Sequence, residues 1–383
     1  MIFIFEEIIL FSEVIFLVLY ATLREYLEEI APSYLASDWD NSGPQVDLNQ
    51  EKIERVLIGL DPTIELINQG IKKEADLLIT HHPLIFSELK KLDSNSLTGS
   101  KILTLVQNDL GLLSIHTSFD RSAKGLSLGL AKRLQLTSTE PLESSKGPNL
   151  FRLVVFVPES EEEEVIEELS NAGAGKTENY RNSYYRSTVK GSFTPSKNAE
   201  PYVGRPDQTE STEEIKLEFL VCPKYKRKVT SALYRSHPYE EPGFLFEETE
   251  RPDPNVGLGR LGKWGTKKDL NDIKSVVSNG LNLKEEQISV HGSITNPIQW
   301  VATSPGAGGA AIDPAMNSGV DLLITGELDY HERLEAQERG LTVMEIGHFH
   351  SEKVFAPWLK KLLRDQFDSE ELKIELHGEV KSH

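Results

Sequence analysis

His81 and His82 are adjacent imidazoles at the end of an apolar run, a setting in which side chains do chemistry. Along a continuing strand, successive side chains point to opposite faces and cannot serve one site. Pro83 stops the strand at once, because it lacks an amide donor and restricts the residue before it. At a strand end the two rings are free to turn toward two neighbouring ions; the structural alternative is a surface turn. His348 and Glu352 stand four apart at the start of HFHSEKVFAPWLKKLLRD, which reads as a helix. They share one helical face, the arrangement by which helical histidine pairs bind zinc. The competing reading is a plain helix start with a first-turn glutamate favoured by the dipole. Asp120 ends the strand-like run LLSIHTSFD (112–120), where a carboxylate can bridge two cations or cap a helix.

His81, His82, Asp120, His348 and Glu352 together offer three imidazoles and two carboxylates. Such a mixed nitrogen and oxygen set suits Zn, Fe, Mn, Co or Ni, and disfavours a thiolate zinc site or an all-oxygen calcium site. Spread over two divalent ions, these ligands leave open positions for water, as metal-assisted hydrolysis requires. His116, Glu327 and His331 fall close by in the expected topology. They are candidates to orient ligands or carry protons, with packing or capping as the competing role.

The elements that must position these residues can be read from the apolar pattern. LREYLEEIAPSYLA (23–36) is an amphipathic helix with Leu23, Tyr26, Leu27 and Ile30 on one face, ended by Pro32. RVLIGLD (55–61), TIELINQGIKKEA (63–75) and DLLIT (76–80) run strand, helix, strand, which implies a right-handed crossover and a parallel sheet. ADLLIT (75–80) is echoed by VDLLIT (320–325), and each is followed by a helix and a second strand. The fold class is therefore α/β, with two pseudo-equivalent halves forming a discontinuous core. Ligands of open α/β sheets collect beyond the carboxyl ends of the strands, where all the residues named above fall. GAGGAA (306–311), with no basic partner, reads as a tight strand-to-helix turn that could also approach a cavity wall.

Between the halves, FRLVVFVP (151–158) and IKLEFLVCP (215–223) are each followed by a charged helical stretch, which suggests an inserted ferredoxin-like α+β domain. SSKGPN (144–149) looks like its entry linker, and ETERPDPN (248–255) marks its end. The expected division is an atypical extension at 1–20, a first core segment at 21–145, the insertion at 150–252 and a second core segment at 255–383. HPYEEP (237–242), punctuated by two prolines, reads as a structural turn.

Composition narrows the classes. The chain has 383 residues, 38% of them hydrophobic, enough for a core without staples. Cys222 is its one cysteine, so an intrachain disulfide and a thiolate cluster are both excluded, in keeping with a cytoplasmic setting. A formal net charge of −19 makes nucleic acid an unlikely partner, since phosphate binding relies on Lys and Arg. The short basic cluster of Lys224, Lys226, Arg227 and Lys228 reads as a solvated strand-to-helix edge. The apolar first twenty residues carry Glu6, Glu7 and Glu13 and no early Lys or Arg, which argues against a membrane anchor or a signal peptide. They read as a non-native start or an extra packed helix.

Five segments in order, DWDNSGPQVD (38–47), ITHHPLIF (79–86), IHTSFD (115–120), TGELDYH (325–331) and GHFHSE (347–352), resemble the motifs of a dinuclear-metal family. Its members are called GTP cyclohydrolase 1 type 2 homologues, or NIF-three-like proteins. NAGAGKTENYRNSYY (171–185), GSFTPSKNAEPYVG (191–204) and HPYEEPGF (237–244) resemble the PII-like insertion of its longer members. The resemblance runs from residue 21 to about 365. It implies a pair of metals on His81, His82, Asp120, His348 and Glu352, and a toroidal homohexamer with the sites facing an internal cavity. Ser118, Glu327 and the Gly43-Pro44 pair depart from the family pattern, which bears on the surroundings of the metals more than on their ligands. The expected function is metal-dependent hydrolysis of a nucleotide-like small molecule. Non-catalytic metal binding or delivery, or a regulatory role, is the alternative.

Overall fold

The two DLLIT runs form the central strands of two separate sheets in the computed structural model, which describes residues 18–144, 149–177, 180–368 and 371–377. In the first sheet the order is Lys373–Leu376, Arg55–Gly59, Leu77–Thr80, Gly111–Ser114 and Gly43–Val46. The first four strands are parallel and the last is antiparallel. All four residues of Leu77–Thr80 are buried, which explains a continuous apolar run in place of alternation. The second sheet runs Ser289–His291, Thr342–Glu345, Leu322–Glu327, Ile298–Ala307, Leu258–Lys268 and Thr137–Glu143. Its inner three strands, Thr342–Glu345, Leu322–Glu327 and Ile298–Ala307, are parallel. Each half thus repeats three parallel strands around a DLLIT centre, and the pseudo-equivalent pair of α/β halves is present.

The halves interlock. Thr137–Glu143, from the first core segment, pairs with Leu258–Lys268 at the edge of the second sheet. Lys373–Leu376, from the second, pairs with Arg55–Gly59 in the first sheet. A shared core joins them: Ile58, Ile79, Phe119, Ile324, Met344 and Phe355 belong to one buried cluster. The helix Tyr20–Ile30 adds Leu23, Tyr26, Leu27 and Ile30 to that core, the face its periodicity predicted.

Two expectations change in detail. The strand before Asp120 ends at Ser114, and Asp120 lies inside the short helix Thr117–Arg121. The cause is the buried Asp40 carboxylate, which accepts hydrogen bonds from the Thr117 amide and hydroxyl and turns the chain. HFHSEKVFAPWLKKLLRD is two helices, His348–Glu352 and Phe355–Gln366, because the chain turns at Lys353 and Val354 to seat Phe355 in the core.

The inserted domain is ferredoxin-like. Its four antiparallel strands are ordered Phe244–Pro252, Asn149–Val157, Glu210–Val221, Tyr184–Phe193, with helices Glu162–Asn171 and Lys226–Ser236. It has its own core of Leu153, Val155, Leu169, Leu217, Phe219 and Leu233, among others. His237 donates from Nε2 to the Phe156 carbonyl and accepts the Tyr239 amide at Nδ1, so HPYEEP is a turn closing this domain. The basic cluster spans the strand-to-helix junction, with Lys226 over the Phe151 ring and Lys228 paired to Glu25.

Val18–Leu19 pairs with Lys52–Ile53, and Val18 and Tyr20 are buried. The earlier part of the apolar N-terminal run, and most of the SSKGPN linker, lie outside the described residues. Among the described residues no helix is long and apolar enough to cross a membrane.

Candidate metal centre

The two short helices that follow the third parallel strand of each half are the organising feature of the site. Thr117–Arg121 carries Asp120, four residues beyond His116; His348–Glu352 carries Glu352, four beyond His348. Each half therefore presents an imidazole and a carboxylate one helical turn apart. His81 and His82 enter from between them. Their amides both donate to the Leu60 carbonyl at 3.1 Å, and the His82 carbonyl accepts from the Thr80 hydroxyl at 2.8 Å. That local turn, with Pro83 behind it, lets both rings face the same space.

The four imidazoles share one arrangement. His81 Nδ1 donates to the Ile115 carbonyl at 2.9 Å, His82 Nδ1 to Asp61 at 2.8 Å, His116 Nδ1 to Asp40 at 2.8 Å and His348 Nδ1 to Glu327 at 2.9 Å. With Nδ1 committed as a donor, each Nε2 is the atom left to bind a ligand. These atoms converge in two overlapping groups, His81 with His82 and His116, and His82 with His348 and Glu352, each within 4.8 Å. Glu352 Oε1 lies 3.2 Å from His348 Nε2 and 3.9 Å from His81 Nε2; Asp120 Oδ1 lies 3.6 Å from His81 Nε2.

The electrostatics of the cluster are set by burial and by the Glu352 charge. Burial pulls the enclosed His81 ring down to about 3, so it is a neutral electron-pair donor. Burial also opposes charge on His82, but Asp61 and Glu352 outweigh it and push that ring up to about 10. Glu352 raises His348 to about 9 against burial, with help from Glu327. Burial, then the Glu352 charge, raises Asp120 well above the usual carboxylate range. Glu352 is itself buried, yet its imidazole neighbours hold it below that range. Three buried atoms, His81 Nε2, Asp120 Oδ1 and Glu352 Oε2, lack a well-formed hydrogen bond among the described residues, although Glu352 Oε2 stands 3.3 Å from His82 Nε2 as an ion-pair neighbour. Native interiors rarely leave such atoms unsatisfied, and divalent cations between them would satisfy all three.

Of the five residues expected as ligands, His81, His82, His348 and Glu352 fall in these two groups, and Asp120 falls in neither but lies 3.6 Å from His81 Nε2. His116, expected only to support the site, sits with His81 and His82 in a ligand's position. Glu327 orients His348 from outside. His331 does not join either group; it is exposed on the helix Tyr330–Glu338 with its ring against Tyr330. Sequence reasoning missed the roles of Asp61 and Asp40. Asp61 follows a strand at the same sheet edge as His81, and Asp40 lies within the DWDNSGPQVD motif; both were usable signals, though neither showed which ring the carboxylate would orient. Gly306, in the Gly-rich turn, does line the site: its φ is +66°, and a Cβ there would lie 2.4 Å from Glu352 Oε1.

Comparison with known proteins bears on this arrangement. The family model described as Duf34/NIF3 (NGG1p interacting factor 3) matches residues 18–380. A Halalkalibacterium halodurans protein named GTP cyclohydrolase 1 type 2 homolog is 31% identical over 361 residues, covering 93% of this chain and 96% of its own. A Bacillus subtilis protein of the same name is 31% identical over 330 residues, covering 86% and 88%. The crystal structure of a Bacillus cereus protein related to NIF3 superposes with a TM-score of 0.80 at 30% identity, covering 94% of this chain and 96% of the other.

Proposed function

The chain belongs to the Duf34/NIF3 family, and from that premise we propose that it is a metal-dependent hydrolase holding two divalent cations between its halves and acting on a nucleotide-like small molecule. One observation carries the reading. Buried His81 Nε2 and Asp120 Oδ1 stand 3.6 Å apart with no hydrogen-bond partner among the described residues, bordered by two overlapping groups that share His82.

His81 and His116 would hold a cation at one end of the site and His348 and Glu352 at the other, with His82 giving its one free nitrogen to a single cation and Asp120 standing beside His81. The nitrogen and oxygen donors suit Zn, Fe, Mn, Co or Ni. When bound, such ions supply Lewis acidity toward water and toward a carbonyl or phosphoryl oxygen. The chain's own residues do the rest. Asp61, Asp40 and Glu327 fix the tautomer and direction of three rings. Phe355, 5.1 Å from the His81 ring, and Phe119 behind it keep water from the floor. The partly exposed side of the site, where His348 and Glu327 meet solvent, admits substrate. The relatives' name motivates a guanine nucleotide as the first substrate to try.

A His81→Ala variant tests the reading. It should fold and lose turnover of a nucleotide panel together with metal; turnover equal to that of the wild type would sink the hydrolase. The open face also suits metal delivery, which reversible metal exchange without substrate consumption would favour.

A further inference from the structure

We propose that Trp39 and Phe86 form an aromatic subsite beside the metal centre that takes the planar heteroaromatic ring of the substrate, a purine or its like. The inference rests on the reading above and adds the class of group that is recognised.

Trp39 is 61% exposed and Phe86 58%, and their rings pack against one another 5.9 Å apart at 41°, leaving an exposed apolar platform on which a planar ring can stack. Single exposed aromatics are common, but this pair is continuous with the metal ligands. Trp39 meets the His116 ring edge-on at 5.8 Å, and His116 lies 5.1 Å from His81 and 5.2 Å from His82. A ring seated on Trp39 is therefore one imidazole away from the cluster, within reach of a sugar phosphate attached to it.

The loops bearing the two rings are braced at the neighbouring residue. Asp40, whose carboxylate is fully buried, accepts from His116, Thr117 and Ser42. Asn41 donates to the Ile85 carbonyl at 2.6 Å, and the Ile85 amide donates to Gln45 at 3.0 Å. Trp39 and Phe86 are thus tied to one another's loops and to a metal ligand, a preformed platform that needs little ordering on binding. Its chemistry also fits the rest of the chain. In a protein of net charge −19 whose sequence has no GxxxxGK(S/T) loop, cations and a stacking surface are the natural means of holding a nucleotide.

The test titrates full-length, Mn-loaded protein with guanosine 5′-monophosphate and with ribose 5-phosphate, which lacks the ring. Wild type is compared with Trp39→Ala, Phe86→Ala and Trp39→Phe, and metal content and particle mass are measured for each. We expect the alanine variants to weaken the nucleotide about 10- to 100-fold, the range one stacked base supplies. Trp39→Phe should stay within a few-fold, with ribose 5-phosphate affinity, metal content and mass unchanged throughout. Equal affinity of wild type for the two ligands, or nucleotide affinity indifferent to both alanine changes, overturns the subsite. Loss of an assembly with unchanged nucleotide affinity also overturns it and makes the patch a contact between copies. Trp39-dependent nucleotide binding in protein that takes up no metal would support the subsite while removing the metal reading.

Discussion

At the scale of single residues, four imidazoles each spend Nδ1 on an oxygen and turn Nε2 inward, and the acceptor decides the character of each ring. His81, bonded to a carbonyl and fully buried, stays neutral. His82 and His348, backed by carboxylates and facing Glu352, are raised to about 10 and 9. Both therefore carry a proton at neutral pH in the metal-free protein, and a cation must displace it. Metal affinity should rise as pH goes from 6 to 8, with roughly two protons released per site at pH 7. Calorimetry in buffers of different ionisation enthalpy measures that number; no proton release would contradict the assignment. Without metal the sign reverses. The raised values stabilise the fold below the ordinary imidazole value near 6.5, and that contribution is lost as pH climbs through 9 to 10. The candidate ligands were legible in the sequence because the His81-His82 pair ends a strand at a proline and His348 and Glu352 share a helical spacing. Their acceptors were not, since Asp61 and Asp40 are ordinary acids whose role depends on which loop the fold brings near.

At the scale of elements, the site is two matching helical turns, His116 to Asp120 and His348 to Glu352, hung on matching strands. The echo of DLLIT exposed the strands but not this second match, because Asp120 was read as a strand end. Pattern alone cannot show that Asp40, 77 residues earlier in the chain than the Thr117 it bonds, turns the chain after Ser114. The Gly306 turn is the other element-scale part. A side chain there would be strained at φ +66° and would press on Glu352 Oε1. Gly306→Ala should lower metal affinity at least about tenfold, the effect of roughly 1.4 kcal/mol. Retention of wild-type affinity, read by competition with a chelating dye, would remove Gly306 from the site wall.

At the scale of the whole molecule, the exchange of edge strands makes the two core segments one folding unit, while the insertion stands on its own core. The residues flanking the insertion are already neighbours, for Glu143 pairs with Leu258. Replacing residues 145–254 by a short Gly/Ser linker should therefore leave a folded core with its full metal content. A core that aggregates or loses metal would show that the insertion supports the site. The ferredoxin-like order was legible from two strand-helix units. The strand exchange was not, because Lys373–Leu376 and Thr137–Glu143 carry no signal of which sheet they join. The central claim is the paired metal site, and metal content per subunit tests it most directly. Protein purified without added metal should hold about two equivalents, as a paired site requires, and a His82→Ala/Glu352→Ala variant should hold far less. A trace amount in both, not restored by Zn, Mn or Fe, would contradict the account.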